Sequence, residues 1–118
     1  MIAEIIPGID QQKGLACVRG NRSLYEKLLN KFHQQYHQTA TELDTLIAAG
    51  LMEESILLVH SIKGVAGSLG AEALFEAAQQ LEDALRLDNS RIHDSRKNFD
   101  AALKIVIEGL ATTVVEVM

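Results

Sequence analysis

The apolar run SILLVHSIKGVAGSLG, Ser55 to Gly70, is interrupted by a histidine and a lysine, His60 and Lys63, and carries two glycines just beyond them, Gly64 and Gly67. A neutral imidazole is a nucleophile, and an ordinary one titrates near pH ~6.5, so much of it is neutral at neutral pH. An ammonium one turn away lies beside the ring and can pair with negative charge delivered to it. A phosphoryl group fits both features. No Walker-type or Gly-rich nucleotide loop occurs in the sequence. No ATP route is therefore legible, and the phosphoryl group has to arrive from another domain.

The spacing predicts which way these side chains point. With Ile56 at zero and roughly 100° per residue, Leu58, Ile62, Val65 and Leu69 fall at roughly 180–240°, flanked by Val59 and Ala66. That arc is the expected core face. His60 falls at roughly 40°, with Lys63, Gly64 and Gly67 within about 60° of it. The ring is expected on the solvent side beside a patch of bare backbone. Each helical glycine costs about 1 kcal/mol relative to alanine, so the pair asks for a reason. Close packing inside the bundle is one; the approach of a partner protein's surface to His60 is the other, and the direction of the glycines favours the second. The apolar Ile56 and Leu57 are expected to be exposed nearby, a hydrophobic contact for such a partner.

The elements that hold this helix are readable from helical periodicity and punctuation. A short helix is expected near Asp10–Val18, with Asp10 as N-cap. Asn21 caps a long second helix running to about Ala49, with Gly50 at its end and a stripe of Leu24, Leu28, Phe32, Leu43, Leu46 and Ile47, joined by Tyr25 and Tyr36. The third starts near Met52, where Glu53 and Glu54 suit the helix dipole, and stops at Gly70. A fourth spans about Glu72 to Leu87 with Leu74, Ala78, Leu81 and Leu85 inward, and Asp88, Asn89 and Ser90 break it. The fifth begins near Ile92 or Asp94 with Phe99, Leu103, Val106, Leu110, Val114 and Val117 in line. Short connections make neighbours antiparallel. The expected fold is all-α: an antiparallel up-down four-helix bundle with a short extra N-terminal helix, a single domain over residues 1–118.

Composition narrows the function. The chain has 118 residues, 47% of them apolar, and a net charge of −5. A duplex-DNA binder would more often be basic, and aromatics at 4% give no stacking platform for single strands. The start, MIAEIIPG, is unlike a signal peptide, and no apolar run is long enough to span a membrane. Cys17, the one cysteine, is expected to be a small buried hydrophobe. His33 and His37 have metal-ligand spacing, but two ligands fall short of the usual three or four, so they read as solvated. His93 has no evident role. No metal site is expected.

The motif His60-Ser61-Ile62-Lys63-Gly64-Val65-Ala66-Gly67-Ser68-Leu69-Gly70, followed by ALFEAAQQLEDAL from Ala73 to Leu85, resembles the histidine-containing phosphotransfer (HPt) domain of multistep two-component phosphorelays. The stretch IPGIDQQKGLACVRGNRSLYEKLLNKF looks like the N-terminal part of such domains in bacterial hybrid sensor kinases. The resemblance implies that His60 carries the phosphoryl group on its distal nitrogen and that Lys63 neutralises it. It also implies that Gly64 and Gly67 clear room for a receiver domain. Glu82 or its neighbour Gln79 would reach toward the ring, though a solvated acid is an equally good reading of Glu82. The implied role is that of a phosphocarrier between receiver domains: monomeric, cytoplasmic, with no cofactor of its own and with magnesium on the receiver. Two other readings stay open: a helical adaptor without phosphoryl chemistry, and a substrate domain phosphorylated directly by a kinase's ATP-binding domain.

Overall fold

The computed structural model describes residues 5–117, with side chains through Thr112. Six α-helices follow one another: α1 (Gln11–Cys17), α2 (Arg22–Tyr36), α3 (Thr39–Ala48), α4 (Met52–Leu69), α5 (Glu72–Leu87) and α6 (Ile92–Val117). A 3-10 turn, Asn89–Arg91, joins the last two. The result is an all-helical bundle with no strand among the described residues. Also among them, no helix is long and apolar enough to cross a membrane.

The expected second helix is two. Tyr36 ends α2, Gln38 leaves helical geometry (φ −110°, ψ 13°), and α3 begins at Thr39. At the join, His37, Thr39 and Thr41 are weak helix formers, and both threonines are β-branched. Nδ1 of His37 lies 3.1 Å from the carbonyls of both His33 and Gln34. The ring thereby caps the last turn of α2 and lowers the cost of the break.

The inward stripe of α2 is Tyr25, Leu29, Phe32 and Tyr36, one residue on from the expected Leu24 and Leu28; Leu24 is exposed. Tyr25 can be fully buried because its hydroxyl donates to the Leu69 carbonyl at 2.7 Å. Burial pushes that phenol up to about 12, so it stays a donor. In α6 the expected Phe99, Leu103, Val106 and Leu110 are buried. Val114 and Val117 lie outside the described side chains.

α4 is the central helix, touched by α1, α2, α3 and most extensively α5. Its buried face is Ser55, Val59, Ile62, Ala66 and Leu69. That face is turned toward Val59 relative to the expected one, and Leu58 and Val65 are only partly buried. Gly70 ends the helix in the left-handed conformation (φ 85°), where Ala71 N–H donates back to the Ala66 carbonyl at 2.9 Å.

α1 closes this end of α4. Its N-cap Asp10 accepts from Lys13 N–H, and Asp10 N–H donates to the Gly70 carbonyl at 2.8 Å. Gly14 is buried, and a Cβ there would collide with the Leu69 carbonyl and the Tyr25 ring. Cys17 is exposed, not buried as expected. So short a helix meets the core through Gly14, with Leu15 and Val18 packed beside it, and Cys17 falls off that face.

Candidate functional site

The seam between α4 and α5 gathers the candidate residues. His60 meets Glu82, Lys63 meets Gln79, and Gly67 meets Phe75. The numbers rise on one helix as they fall on the other, so these two helices run antiparallel. The short link Gly70–Ala71 enforces that.

Glu82 is the centre of the site. It projects from the shoulder of the α5 stripe and is only 5% exposed, so it is not a solvated acid. Its Oε1 accepts from Lys63 Nζ at 2.9 Å and its Oε2 from Arg86 Nε at 3.0 Å. Nδ1 of His60 lies between the two oxygens, at 3.1 and 3.2 Å. Burial alone would raise the carboxyl's pKa. Hydrogen bonds from Lys63, His60 and Arg86 outweigh burial and lower it to about 2. Glu82 is thus an anion that can only accept, so the ring nitrogen facing it must donate. The proton sits on Nδ1, and in the neutral ring Nε2 keeps its lone pair. The imidazole is 56% exposed, so an incoming group can reach it.

The other expected residues divide. Lys63 is not on the open face. The turn of α4 toward Val59 brings it to the seam, where its side chain is 16% exposed and also donates to Gln79 Oε1 at 3.1 Å. Gln79 therefore serves Lys63, not His60, and its amide donates to Asp83. Gly64 is exposed, and among the described residues nothing lies within 4 Å of where its Cβ would be. It is not a packing contact. Gly67 is exposed but not wholly bare, since its Cβ would stand 3.2 Å from Cδ2 of Phe75. Leu57 is 63% exposed, whereas Ile56 is half-buried and packed against the core.

The Hpt domain family model matches residues 27–113, well over half of the chain. The chain belongs to the Hpt domain family. No curated protein and no solved structure shows significant similarity to it. Hpt domains are phosphocarriers in phosphorelays and work with receiver domains. Every residue at the seam lies inside the matched span. In this Hpt domain two side chains join the site that the sequence reading passed over, Arg86 and Phe75. Arg86 follows Glu82 by four residues, a spacing that signals an ion pair on one helix face. Phe75 is 39% exposed, and its signal is weaker: an aromatic beside Leu74 that meets Gly67 only once the two helices are paired. One open hollow is lined by Glu53, Ile56, Leu57 and Arg86 across the two helices, and another by Phe75, Glu76, Gln79 and Gln80 on α5.

The remaining histidines lie elsewhere. His33 and His37 stack at 5.6 Å between ring centroids, and burial and the neighbouring ring lower the pKa of His33. His93 is exposed in the first turn of α6. No group of three His, Cys, Asp or Glu that could hold a metal occurs among the described residues.

Proposed function

We infer that this domain accepts a phosphoryl group on Nε2 of His60 from the aspartyl phosphate of one receiver domain and passes it to another. The observation that carries the reading is the hydrogen bond from Nδ1 to Glu82, which leaves Nε2 as the lone-pair nitrogen of an exposed ring. In the step, that lone pair attacks phosphorus, the N–P bond forms and the aspartyl O–P bond breaks. The electron pair of the broken bond returns to the receiver's carboxylate. The Nδ1 proton stays, so the ring becomes an imidazolium cation beside the Glu82 anion, which stabilises it. Lys63, one turn from the ring, turns toward the new dianion. The metal ion and most of the stabilisation of the transition state belong to the receiver. The domain contributes a positioned nucleophile and a docking face made by Leu57, Gly64, Gly67 and the edge of Ile56. It holds no cofactor and binds no ATP.

The surrounding protein is read the same way. The antiparallel pairing of α4 with α5 and the short links elsewhere support an up-down bundle of four helical legs, α2 and α3 forming one of them. The likeness of the N-terminal stretch to hybrid sensor kinases supports a place in such a kinase, on the cytoplasmic side, as a monomeric module. The acidic net charge speaks against nucleic acid as a partner.

The test is incubation with a phosphorylated receiver domain, followed by intact-mass measurement at neutral and acidic pH. An acid-labile phosphate adduct is expected on the wild-type protein and none on His60→Gln, whose unfolding transition should stay within about 1 kcal/mol of wild type. Label retained on His60→Gln would move the acceptor elsewhere. Label acquired only from a kinase's ATP-binding domain would replace the receiver as donor.

A further inference from the structure

The two oxygens of Glu82 are held separately. Lys63 holds Oε1 and Arg86 holds Oε2, and the His60 Nδ1–H is shared almost equally between them. Resting on the reading of His60 as phosphoacceptor, Lys63 has two incompatible employments. It pins Glu82 before transfer, and it faces the phosphoryl group during and after it. Once Lys63 turns away, Oε1 loses its cation. Of the cationic anchors described on this carboxylate, Arg86 then remains. It is well placed to stay: it sits on the same helix as Glu82, one turn on, and donates through Nε.

We propose that Arg86 is a positioning residue for His60, holding Oε2 of Glu82 so that the carboxylate keeps the ring proton on Nδ1 while Lys63 moves to the phosphoryl group. Arg86 acts through Glu82 and touches neither the ring nor phosphorus. Without it, Glu82 can swing about its side-chain torsions as soon as Lys63 lets go. Nδ1 then loses its fixed acceptor, and the proton is free to sit on Nε2, the nitrogen that must attack. Lysine at this position keeps the charge but lacks the planar Nε–H that meets Oε2.

The experiment reads the tautomer directly. Nitrogen-15 chemical shifts of the His60 ring are recorded at a pH high enough to make the ring neutral, in the unphosphorylated protein. The proteins compared are wild type, Lys63→Met, Arg86→Met, Arg86→Lys and the Lys63→Met/Arg86→Met pair. Wild type and Lys63→Met should hold the proton on Nδ1. Arg86→Met should shift only a little of the population to Nε2–H while Lys63 still holds Oε1, Arg86→Lys less of it, and the double variant most of all, by more than the two single changes added together. Transfer from a phosphorylated receiver should slow in the same order among the arginine variants, by roughly tenfold for Arg86→Met. An unchanged tautomer in both Arg86→Met and the double variant would overturn the proposal. If transfer nevertheless fell with the tautomer unchanged, Arg86 would be a contact for the receiver. The tautomer measurement needs no partner, so it stands even where wild-type protein takes up no phosphate, the result that would instead sink the reading of His60 as acceptor. Thermal unfolding of each variant separates loss of fold from loss of tautomer.

Discussion

Glu82→Gln separates the charge of the central carboxylate from its shape. Glutamine keeps the length and an acceptor oxygen but cannot be an anion. The wild-type carboxyl is lowered from an ordinary 4.5 to about 2. With a side chain only 7% exposed, solvent screening takes little from the effect, which corresponds to about 3 kcal/mol of folding stability at about 1.4 kcal/mol per pH unit. A depressed carboxyl contributes fully above its unfolded value and loses its contribution as pH falls toward the folded one. The advantage of wild type over Glu82→Gln should therefore be about 3 kcal/mol near pH 5, below the histidine range, and shrink by about 2 kcal/mol by pH ~3. The remainder should vanish below that. Other carboxylates titrate in both proteins, so they cancel in the difference. The assay is urea unfolding followed by far-ultraviolet circular dichroism at each pH. A difference between the two proteins that stays level from about pH 5 to about pH 3 would refute the reasoning, because it would mean the paired anion adds nothing to the fold.

The glycines give opposed expectations. Gly64→Ala should preserve or raise stability by up to about 1 kcal/mol, since its Cβ enters open space. The bulkier Gly64→Gln should slow transfer from a receiver without unfolding the domain, as stopped-flow measurements with a phosphorylated receiver would show. Gly14→Ala should destabilise by about 1–3 kcal/mol, because the Leu69 carbonyl and the Tyr25 ring occupy the space. Equal melting temperatures for Gly64→Ala and Gly14→Ala would contradict the packing described for α1. Lys63→Ala removes a charged hydrogen bond at the seam, so it should cost about 1–3 kcal/mol in denaturant titrations and also shorten the phosphohistidine half-life. A stability equal to wild type would return Lys63 to the status of a surface lysine.

The sequence was most informative where chain punctuation and period agree. Gly70, Glu72 and Leu87 bound α4 and α5 as expected, since the left-handed Gly70 and the Asp88–Ser90 break are local events. The split at His37 was hidden, because Tyr36, Thr39 and Leu43 keep helical spacing through it; what stops α2 is a side chain folding back on its own carbonyls. The face of α4 was misjudged for a related reason. Counting only apolar types leaves out Ser55, yet Ser55 is buried with its hydroxyl donating to the Leu51 carbonyl. Including it turns the face toward Val59 and draws Lys63 into the seam. Glu82 was legible only as one of two readings. Of the donors that bury this carboxylate, only Arg86 is local; His60 and Lys63 come from another helix and lie well apart from it in sequence, so the local pattern does not tell it from a solvated acid.

The family match begins at residue 27, but the footing of the histidine helix lies upstream of it. Ile6 is in the core against Gly109, Asp10 N–H takes the Gly70 carbonyl, and the Tyr25 hydroxyl takes that of Leu69. Excising the domain at the matched boundary would strip these two carbonyls of their donors and uncover the Leu69 end of α4. Fraying would then start a single turn from Gly67 and travel toward Lys63 and His60. A fragment trimmed in this way would keep His60, Lys63 and Glu82 and still transfer phosphate poorly, and the defect would be mechanical. The stretch before the match is the abutment on which the His60 helix rests.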